Sequence, residues 1–378
     1  MNIVLLTSSR ADYGIYLPLL RRLEGDDFFN LSIVAFGTHL SEKHGYTLNQ
    51  ILADGFKVVH TVETLPSGDL PADIASAIGL TTLKFAELWA ALHRHTHLII
   101  CLGDRYEMFA AVCASVPFNL PVAHFYGGET TEGAIDNKFR HAITQMAAYH
   151  FTATETYAQK VAAMTGSTQH VYSVGSLSLD NLLSLPLLDA NAFFARYGIN
   201  LHKSTILVTF HPETVQPEQN IFYTQELIKT LTAASALYQV VITMPNADTM
   251  GNIVRTQLLA FAQTQPDRVF AVENFGTQGY FSCMNLVTFL LGNTSSGIIE
   301  AASFGKYVIN IGNRQQGRAC SNNVLHTPIN TQSMLAAIDA VEKLPPFTGI
   351  NIYRQQNVAE RVISILKTLF TNNTPLPH

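Results

Sequence analysis

The side chains of this sequence that could do chemistry stand in short polar loops, each directly after an apolar run. The richest loop spans His124 to His141 and holds three carboxylates within eight residues, Glu129, Glu132 and Asp136. Carboxyl groups held together in a cleft can have their pKa values pushed apart, so that one serves as an acid and another as a base. The loop therefore predicts proton transfer. The alternative is a solvated loop in which Asp136 caps the next helix.

Two further loops place a charge at the start of a predicted helix. In Gly103-Asp104-Arg105 an acid and a base stand side by side, and the alternative role for Asp104 is that of a helix N-cap. The loop Thr7–Gly14 combines small and hydroxyl residues with Arg10. Backbone N–H groups at a helix start bind anions, and arginine suits phosphate oxygens, so this loop predicts phosphate binding. A capped loop with a surface arginine is the alternative.

The segment Gly292–Gly297 indicates an anion site in the second half of the chain. A glycine and small polar residues there separate a strand pattern from a helix pattern, and backbone N–H groups with hydroxyls at a helix start bind anions without a lysine. Glu300, one turn further, could bridge the vicinal hydroxyls of a ribose. The candidate binding residues of this segment are Thr294, Ser295, Ser296, Gly297 and Glu300.

Other polar residues follow the remaining strands of the second half. His211 could donate to a phosphate oxygen, although a lone histidine is more often structural, and Asn246 ends the next strand in a similar way. Four arginines could together serve one pyrophosphate, namely Arg10, Arg105, Arg314 and Arg318.

The elements that must position these loops are strands and helices in alternation. Short apolar, β-branched runs separated by helical patterns predict βαβ units around buried parallel sheets. The predicted strands are Ile3–Leu6, Leu31–Phe36, Val58–Val62, Leu98–Leu102, Val122–Phe125, His150–Ala153, Val171–Val174, Ile206–Phe210, Val240–Met244, Val269–Val272, Leu286–Leu291 and Tyr307–Ile311. The predicted helices include Tyr16–Leu23, Ile74–Leu92, Glu107–Ala114, Asp136–Ala148, Ile221–Tyr238, Ile253–Thr264 and Gln355–Phe370.

Because the alternating pattern occurs twice, we predict an α/β fold of two Rossmann-like domains facing across a cleft. The first domain, residues 1–180, carries the acid cluster, and a connector follows at 181–203. The second domain is predicted at 204–350, with a C-terminal helix and tail at 351–378. Ligands of open α/β sheets bind at the carboxyl ends of the strands, where all the loops above are placed.

The composition excludes several classes of protein. The 378 residues are 47% hydrophobic and 13% charged with a net charge of −5, which excludes disorder and shows no basic footprint for nucleic acid. No apolar run is long enough for a membrane span, and the start does not resemble a signal peptide. The four cysteines are scattered, as in a reduced cytoplasmic protein. GxGxxG, HExxH and GxSxG are absent from the sequence, so we predict no metal and no nicotinamide or flavin cofactor.

Taken in order, these motifs resemble the hydrolysing UDP-N-acetylglucosamine 2-epimerases of sialic-acid-type pathways. The matching segments run from residue 7 to residue 326, and they are Ser9–Gly14, Gly103–Arg105, Gly127–Glu129, Gly133–Asp136, Arg140–Thr144, Phe210–Pro212, Gly292–Glu300, Arg314–Arg318 and Asn323–His326.

The resemblance implies a GT-B-like pair of domains with UDP mainly on the second. It places Thr294 and Ser295 at the diphosphate and Glu300 at the ribose, and it gives proton transfer to Asp104 and Asp136. The remaining phosphate charge would meet Arg10, Arg105, His211 and Arg314, with Asn246 near the nucleotide.

The implied reaction is elimination of UDP to 2-acetamidoglucal, followed by hydration to N-acetylmannosamine, with a UDP-sugar as partner and no cofactor. One residue departs from the family: Tyr126 stands where members often carry a catalytic Glu before the Gly-Gly pair. Either Glu129 or Glu132 takes that role, or the substrate is UDP-2,4-diacetamido-2,4,6-trideoxyglucose of the legionaminic acid pathway. Two competing hypotheses are a GT-B glycosyltransferase and a non-catalytic nucleotide-sugar sensor. We expect a homo-oligomer, either a dimer or a tetramer.

Overall fold

The computed structural model describes residues 1–65, 68–245 and 251–371 of the chain. These residues form two compact units. The described residues within Met1–Glu129, Asp136–Ser184 and Tyr353–His378 form unit 1, and those within Thr130–Ile135 and Leu185–Ile352 form unit 2. The predicted acid loop is thus divided, because its middle segment, Thr130–Ile135, is part of unit 2.

Unit 1 is built on a parallel sheet of seven strands. They are β1 (Asn2–Thr7), β2 (Asn30–Phe36), β3 (Val58–Val62), β4 (Leu98–Leu102), β5 (Val122–Phe125), β6 (Tyr149–Thr152) and β7 (Val171–Ser173). Their order in the sheet is β3-β2-β1-β4-β5-β6-β7. The α-helices are α1 (Arg10–Glu24), α2 (Leu48–Ala53), α3 (Pro71–Leu92), α4 (Tyr106–Cys113), α5 (Asp136–Met146), α6 (Glu155–Thr165) and α7 (Asn181–Ser184).

The central strands of unit 1 are buried on both faces, as parallel strands between helices are. Val4 of β1 packs in one apolar cluster with Phe85 and Trp89 of α3, and Leu5, which points to the other face, is equally buried. Such strands are largely apolar runs, so most polar side chains stand where the strands end, and His124 of β5 and His150 of β6 are buried exceptions. Within the described part of the chain, no helix is long and apolar enough to cross a membrane.

Unit 2 is a second parallel sheet, with the order β10-β9-β8-β11-β12-β13. Its helices are α8 (Ala190–Tyr197), α9 (Asn220–Ala234), α10 (Gly251–Thr264), α11 (Gly276–Leu286), α12 (Ser295–Ile299) and α13 (Thr331–Glu342). Its strands are β8 (Thr205–Thr209), β9 (Gln239–Thr243), β10 (Val269–Val272), β11 (Phe289–Gly292), β12 (Val308–Ile311) and β13 (Val324–Thr327). The last helix, α14 (Val358–Thr371), belongs to unit 1.

Both sheets have the Rossmann strand order, in which the order reverses beside the first strand of the sheet. The reversal falls between β1 and β4 in unit 1 and between β8 and β11 in unit 2. Ligands of open α/β sheets bind outside the carboxyl ends of the strands at such a reversal. The loops that carry Arg10 and Asp104 follow β1 and β4, and those that carry His211 and Thr294 follow β8 and β11. The predicted fold class, two parallel α/β domains, is confirmed.

The sequence patterns failed where an element is short or contains glycine. The predicted strand Leu286–Leu291 is wrong at its start, because Leu286 is the last residue of α11 and β11 begins at Phe289. Helix α11 contains two glycines, which obscure a helical pattern. Strand β13 has no clear sequence signal, since only its last residue is fully buried. The predicted connector contains helix α8, whose Phe193 is buried in an apolar cluster of unit 2.

Gly292 is the last residue of β11, beside the reversal of strand order in unit 2, and it tolerates no side chain. Its φ of 149° lies in a region that L-residues rarely adopt, and a Cβ there would stand 2.0 Å from the Thr209 carbonyl oxygen. We expect Gly292→Ala to lower the free energy of unfolding by about 3 kcal/mol or more. Chemical unfolding followed by circular dichroism measures this loss.

The matched control for that substitution is Gly45→Ala. Gly45 also has a positive φ, 85°, but nothing lies within 4 Å of its added Cβ. We therefore expect Gly45→Ala to lower the free energy of unfolding only by the cost of backbone strain, about 1 kcal/mol. Equal losses in the two variants would contradict the steric explanation.

Candidate functional site

The loop after β1 is organised by Asp12, not left open for an anion. The N–H of Ser8 donates to Asp12 Oδ2 (2.8 Å) and the N–H of Ser9 donates to Asp12 Oδ1 (3.0 Å). Ser9 and Asp12 also form a reciprocal capping box at the start of α1. These two N–H groups are therefore not available to a phosphate. Arg10, the first residue of α1, is half-buried and stays the candidate charge of this loop.

Asp104 lies two residues before α4, so its alternative role as the N-cap is wrong. The N-cap position is occupied by Arg105, and the helix begins at Tyr106. The Asp104 side chain, which is 25% exposed, accepts a hydrogen bond from Nη2 of Arg140 on α5. Arg140 is 1% exposed. A buried arginine thus fixes the position of a carboxylate at the end of β4.

Arg105 is held by another carboxylate, which is buried. Its Nε and Nη2 donate to Oε2 (3.2 Å) and Oε1 (2.9 Å) of Glu107, which is 1% exposed. Such a two-pronged pair fixes the plane of the guanidinium and offsets its charge. Arg105 therefore has a defined orientation at the start of α4, and its charge is already compensated in part.

His124 ties the end of β5 to the loop that carries Asp104. Its Nε2 lies 2.8 Å from the Gly103 carbonyl oxygen, and because a carbonyl only accepts, Nε2 must carry the hydrogen. On the other side of the ring, Nδ1 lies 3.2 Å from Thr144 Oγ1. Burial lowers the pKa of His124 to about 3, and the hydrogen bond to Gly103 opposes that shift. His124 is therefore neutral and structural.

The three predicted acids of the long loop have different environments. Glu129 is buried, and its backbone is hydrogen-bonded to the ring of His141 on α5. Asp136 is half-buried and is the first residue of α5, one position inside the helix and not at its cap. Glu132 is exposed and belongs to unit 2. Glu129 and Asp136 therefore share unit 1 with Asp104, and Glu132 does not.

The segment Thr130–Ile135 packs on the turn that carries Arg314. The N–H of Glu132 donates to the Gln316 carbonyl (3.0 Å), and a Cβ on Gly133 would stand 2.6 Å from Arg314 Cα. Only glycine permits this approach. The middle of the acid loop and the predicted pyrophosphate turn are thus packed backbone against backbone within unit 2.

Tyr126, at the position where the resembled family often carries a Glu, is part of the packed interior of unit 1. Its side chain is buried, its φ is +65°, and its hydroxyl lies 2.7 Å from Ser176 Oγ. A phenol engaged in this way does not replace a carboxylate functionally. Glu129, Glu132 and Asp136 stay the candidate acids of this loop.

Asn293 joins the two strands at the reversal in unit 2. Its Oδ1 accepts the N–H of His211 (2.7 Å) and its Nδ2 donates to the His211 carbonyl (2.8 Å). Nε2 of Gln315 in turn donates to the Asn293 carbonyl (2.8 Å). The backbone of His211 is thus fixed between β8 and β11. Asn293 and Gln315 belong to the sequence motifs, but only their burial and their contacts reveal a role for them.

The predicted anion turn begins a short helix. Thr294 is the N-cap of α12, and its Oγ1 accepts the N–H of Ser296 (3.4 Å). Ser295 and Ser296 are half-buried, while Gly297 and Glu300 are buried. Burial raises the pKa of the nearby Tyr280 hydroxyl to about 12. The described structure thus brings His211 and the segment Thr294–Glu300 to adjacent strand ends.

Glu213 braces the turn after β12, a contact that the sequence did not reveal. Its buried Oε1 accepts the N–H of Asn313 (2.8 Å) at the turn after β12, and burial raises its pKa although hydrogen bonds from the backbone of Asn313 and Arg314 oppose the shift. Nε of Arg314 donates to the Pro212 carbonyl (3.3 Å). Arg318, further along the same turn, is half-buried. A hydrophilic residue after a histidine and a proline gave no sequence signal for this bracing.

Two predictions remain, the place of Asn246 near the nucleotide and the absence of a metal site. Asn246 lies outside the described residues, so its place near the nucleotide stays a prediction. Among the residues that the structure does describe, no group of three or more His, Cys, Asp or Glu side chains could hold a metal ion.

This fold and this distribution of polar residues define a class: α/β proteins of the GT-B-like kind, with two Rossmann-type sheets. The family model described as UDP-N-acetylglucosamine 2-epimerase matches residues 21–367. The chain belongs to the UDP-N-acetylglucosamine 2-epimerase family.

Individual relatives cover nearly the whole chain. A UDP-N,N'-diacetylbacillosamine 2-epimerase (hydrolyzing) of Legionella pneumophila is 32% identical over 97% of this chain and 96% of its own. A GDP/UDP-N,N'-diacetylbacillosamine 2-epimerase (hydrolyzing) of Campylobacter jejuni is 30% identical over 87% of this chain and 85% of its own. The crystal structure of a UDP-GlcNAc 2-epimerase from Neisseria meningitidis bound to UDP-GlcNAc superposes with a TM-score of 0.79 at 15% identity, covering 97% of this chain and 100% of that one.

The lowered pKa of His124 predicts acid sensitivity of unit 1. The folded state keeps this ring neutral down to about pH 3, whereas an unfolded histidine takes up a proton near pH 6.5. Acid therefore favours the unfolded state. We expect the free energy of unfolding of the wild type to fall, relative to His124→Gln, by up to about 1.4 kcal/mol per pH unit below pH 6.5.

Glutamine is the matched replacement because its side-chain amide can also donate to the Gly103 carbonyl but does not titrate. Chemical unfolding of both proteins between pH 7 and pH 4 measures the difference. A difference that does not change with pH would show that the pKa of His124 is the same in the folded and unfolded states.

Proposed function

We propose that this protein is a hydrolysing 2-epimerase of a UDP-2-acetamido sugar, which releases UDP and the free 2-epimer. The observation that carries the proposal is the 32% identity, over nearly the full length of both chains, to a relative that is named as hydrolysing. Family membership alone includes epimerases that keep the sugar on UDP, so hydrolysis is the specific claim.

The UDP end of the substrate is proposed to bind to unit 2. Hydroxyls of Thr294, Ser295 and Ser296 and the backbone at Gly297 would meet the diphosphate, and Glu300 the ribose. Arg314, whose turn is braced by Glu213, would stabilise the charge that develops on the departing UDP, as pre-oriented donors do in a site shielded from water. His211, Arg318 and Asn246 complete the proposed set in unit 2, and Arg10 and Arg105 are the candidates from unit 1.

Proton transfer is proposed for the acids of unit 1. A carboxylate removes the proton on C2 while the C1–O bond breaks and its electron pair leaves with UDP, which gives a 2-acetamidoglucal. A second acid then delivers a proton to the opposite face of C2, and water adds its hydroxyl to C1. The candidates are Asp104, Asp136 and Glu129. Glu132 is the remaining one, and its exposure and its place on the Arg314 turn make Glu129 the better choice.

The preferred sugar of this proposal is 2,4-diacetamido-2,4,6-trideoxyglucose, carried as UDP-N,N'-diacetylbacillosamine. Two relatives of 30% identity or more are named for it, and Tyr126 departs from the residue common in the family. The second candidate is UDP-GlcNAc, which would give N-acetylmannosamine and is favoured by the description of the matching family model.

Incubation with each UDP-sugar in D₂O tests both the reaction and the substrate. We expect free UDP and a 2-epimeric free sugar with deuterium at C2, observed by NMR, and a higher kcat/KM for the diacetamido sugar. The deuterium enters because the carboxylic acid that protonates C2 exchanges with solvent. Retention of the original hydrogen would contradict elimination, and a product that stays linked to UDP would contradict hydrolysis. Turnover that requires an added acceptor would indicate a glycosyltransferase.

UDP binding tests the anion turn separately from the chemistry. We expect Arg314→Ala to weaken UDP binding by about 10- to 100-fold, the loss of one charged hydrogen bond, and Ser295→Ala to weaken it less. Calorimetric titration measures the affinity. Arg196→Ala is the control, because this exposed arginine of unit 2 contacts Gln278 and lies outside the proposed site. Unchanged affinity in both site variants would remove the turn from the proposal.

A further inference from the structure

A buried arginine of unit 1 has no part in the reaction as proposed so far. Arg140 is 1% exposed, and a buried cation is costly unless an anion compensates it. Its Nη2 donates to Oδ2 of Asp104, whose side chain keeps a quarter of its surface exposed. One member of this ion pair is thus fully enclosed, and the other reaches the surface at the end of β4.

The pair is braced from the backbone as well. The carbonyl of Arg140 accepts the Thr144 hydroxyl (2.9 Å), and Thr144 Oγ1 also contacts the His124 ring. The opposite nitrogen of that ring donates to the carbonyl of Gly103. Helix α5 therefore holds the Gly103-Asp104 turn at two points, the carbonyl through His124 and the carboxylate through Arg140.

The other arginine beside Asp104 is already compensated. Arg105 is bound through two of its nitrogens to the buried Glu107. An opposite charge in contact with a carboxyl group favours its ionised form, and in this turn the observed contact comes from Arg140. An ionised, fixed carboxylate with an exposed edge is suited to accept a proton.

We propose that Arg140 is a positioning residue that keeps Asp104 ionised and oriented, which makes Asp104 the base that removes the C2 proton. The inference rests on the proposed function and assigns a role within it. Arg140 itself does not touch the substrate. Its effect on turnover therefore passes entirely through Asp104.

A double-mutant cycle tests this dependence. We expect Asp104→Asn to lower kcat by about 10²- to 10⁴-fold, the range for a lost general base, and Arg140→Met to lower it by about 10- to 100-fold with KM and UDP affinity within about threefold of the wild type. In the Asp104→Asn background, Arg140→Met should cause no further loss of kcat. Arg140→Lys, which keeps a charge, should retain more activity than Arg140→Gln.

The control is Arg361→Met, since this exposed arginine of unit 1 donates to the carbonyl of Ser173, far along the chain from the acids. Its kcat should be unchanged. If Arg140→Met does not fold, the Lys and Gln variants carry the same comparison in both backgrounds. Additive losses of kcat, or equal activity of the Lys and Gln variants, would overturn the proposal.

The wild type tests the proposed function, and the variants test the inference. A wild type that releases UDP from neither sugar refutes the function. An active wild type whose variants show additive losses refutes only the role of Arg140.

Discussion

A parallel sheet that is buried on both faces can present polar chemistry only at its carboxyl ends. In both units of this protein the central strands are enclosed by apolar side chains, such as Leu5 in unit 1 and Leu207 in unit 2. The candidate residues follow from this constraint, because they lie in the loops, or at the helix starts, that come after the strands. Because both sheets have the same strand order, the chain has two such edges, one in each unit.

Charges at these ends are held by a second layer of buried polar groups. Asp12 takes the N–H groups of its own loop, Glu107 holds Arg105, and Glu213 braces the turn of Arg314. Each of these carboxylates is nearly inaccessible, and each satisfies donors that would otherwise be buried without partners. Arg105 and the turn of Arg314 are therefore oriented by the protein itself.

The acid loop shows how one stretch of sequence can serve two structural units. Glu129 and Asp136 belong to unit 1, whereas the segment Thr130–Ile135 between them packs on the Arg314 turn of unit 2. Gly133 permits this packing because a side chain would collide with the backbone of the turn. The spacing of the three carboxylates along the chain therefore says little about their spacing in the molecule, and it explains why Glu132 differs from its neighbours.

The sequence by itself determined the fold class, most of the strands and the loops that carry the candidate residues. It did so because buried strands are local apolar runs and because a glycine or a hydroxyl after such a run has a local meaning. Only the tertiary structure decided which polar groups pair. Arg140 meets Asp104 across 36 positions of the chain, and Glu213 meets Asn313 across 100. No local pattern encodes such a contact, since it depends on the order in which the strands are placed in the sheet. The loop after β1 is the exception, because its small residues resemble an anion site although the contact that fills it is local: the Asp12 carboxylate accepts the N–H groups of Ser8 and Ser9.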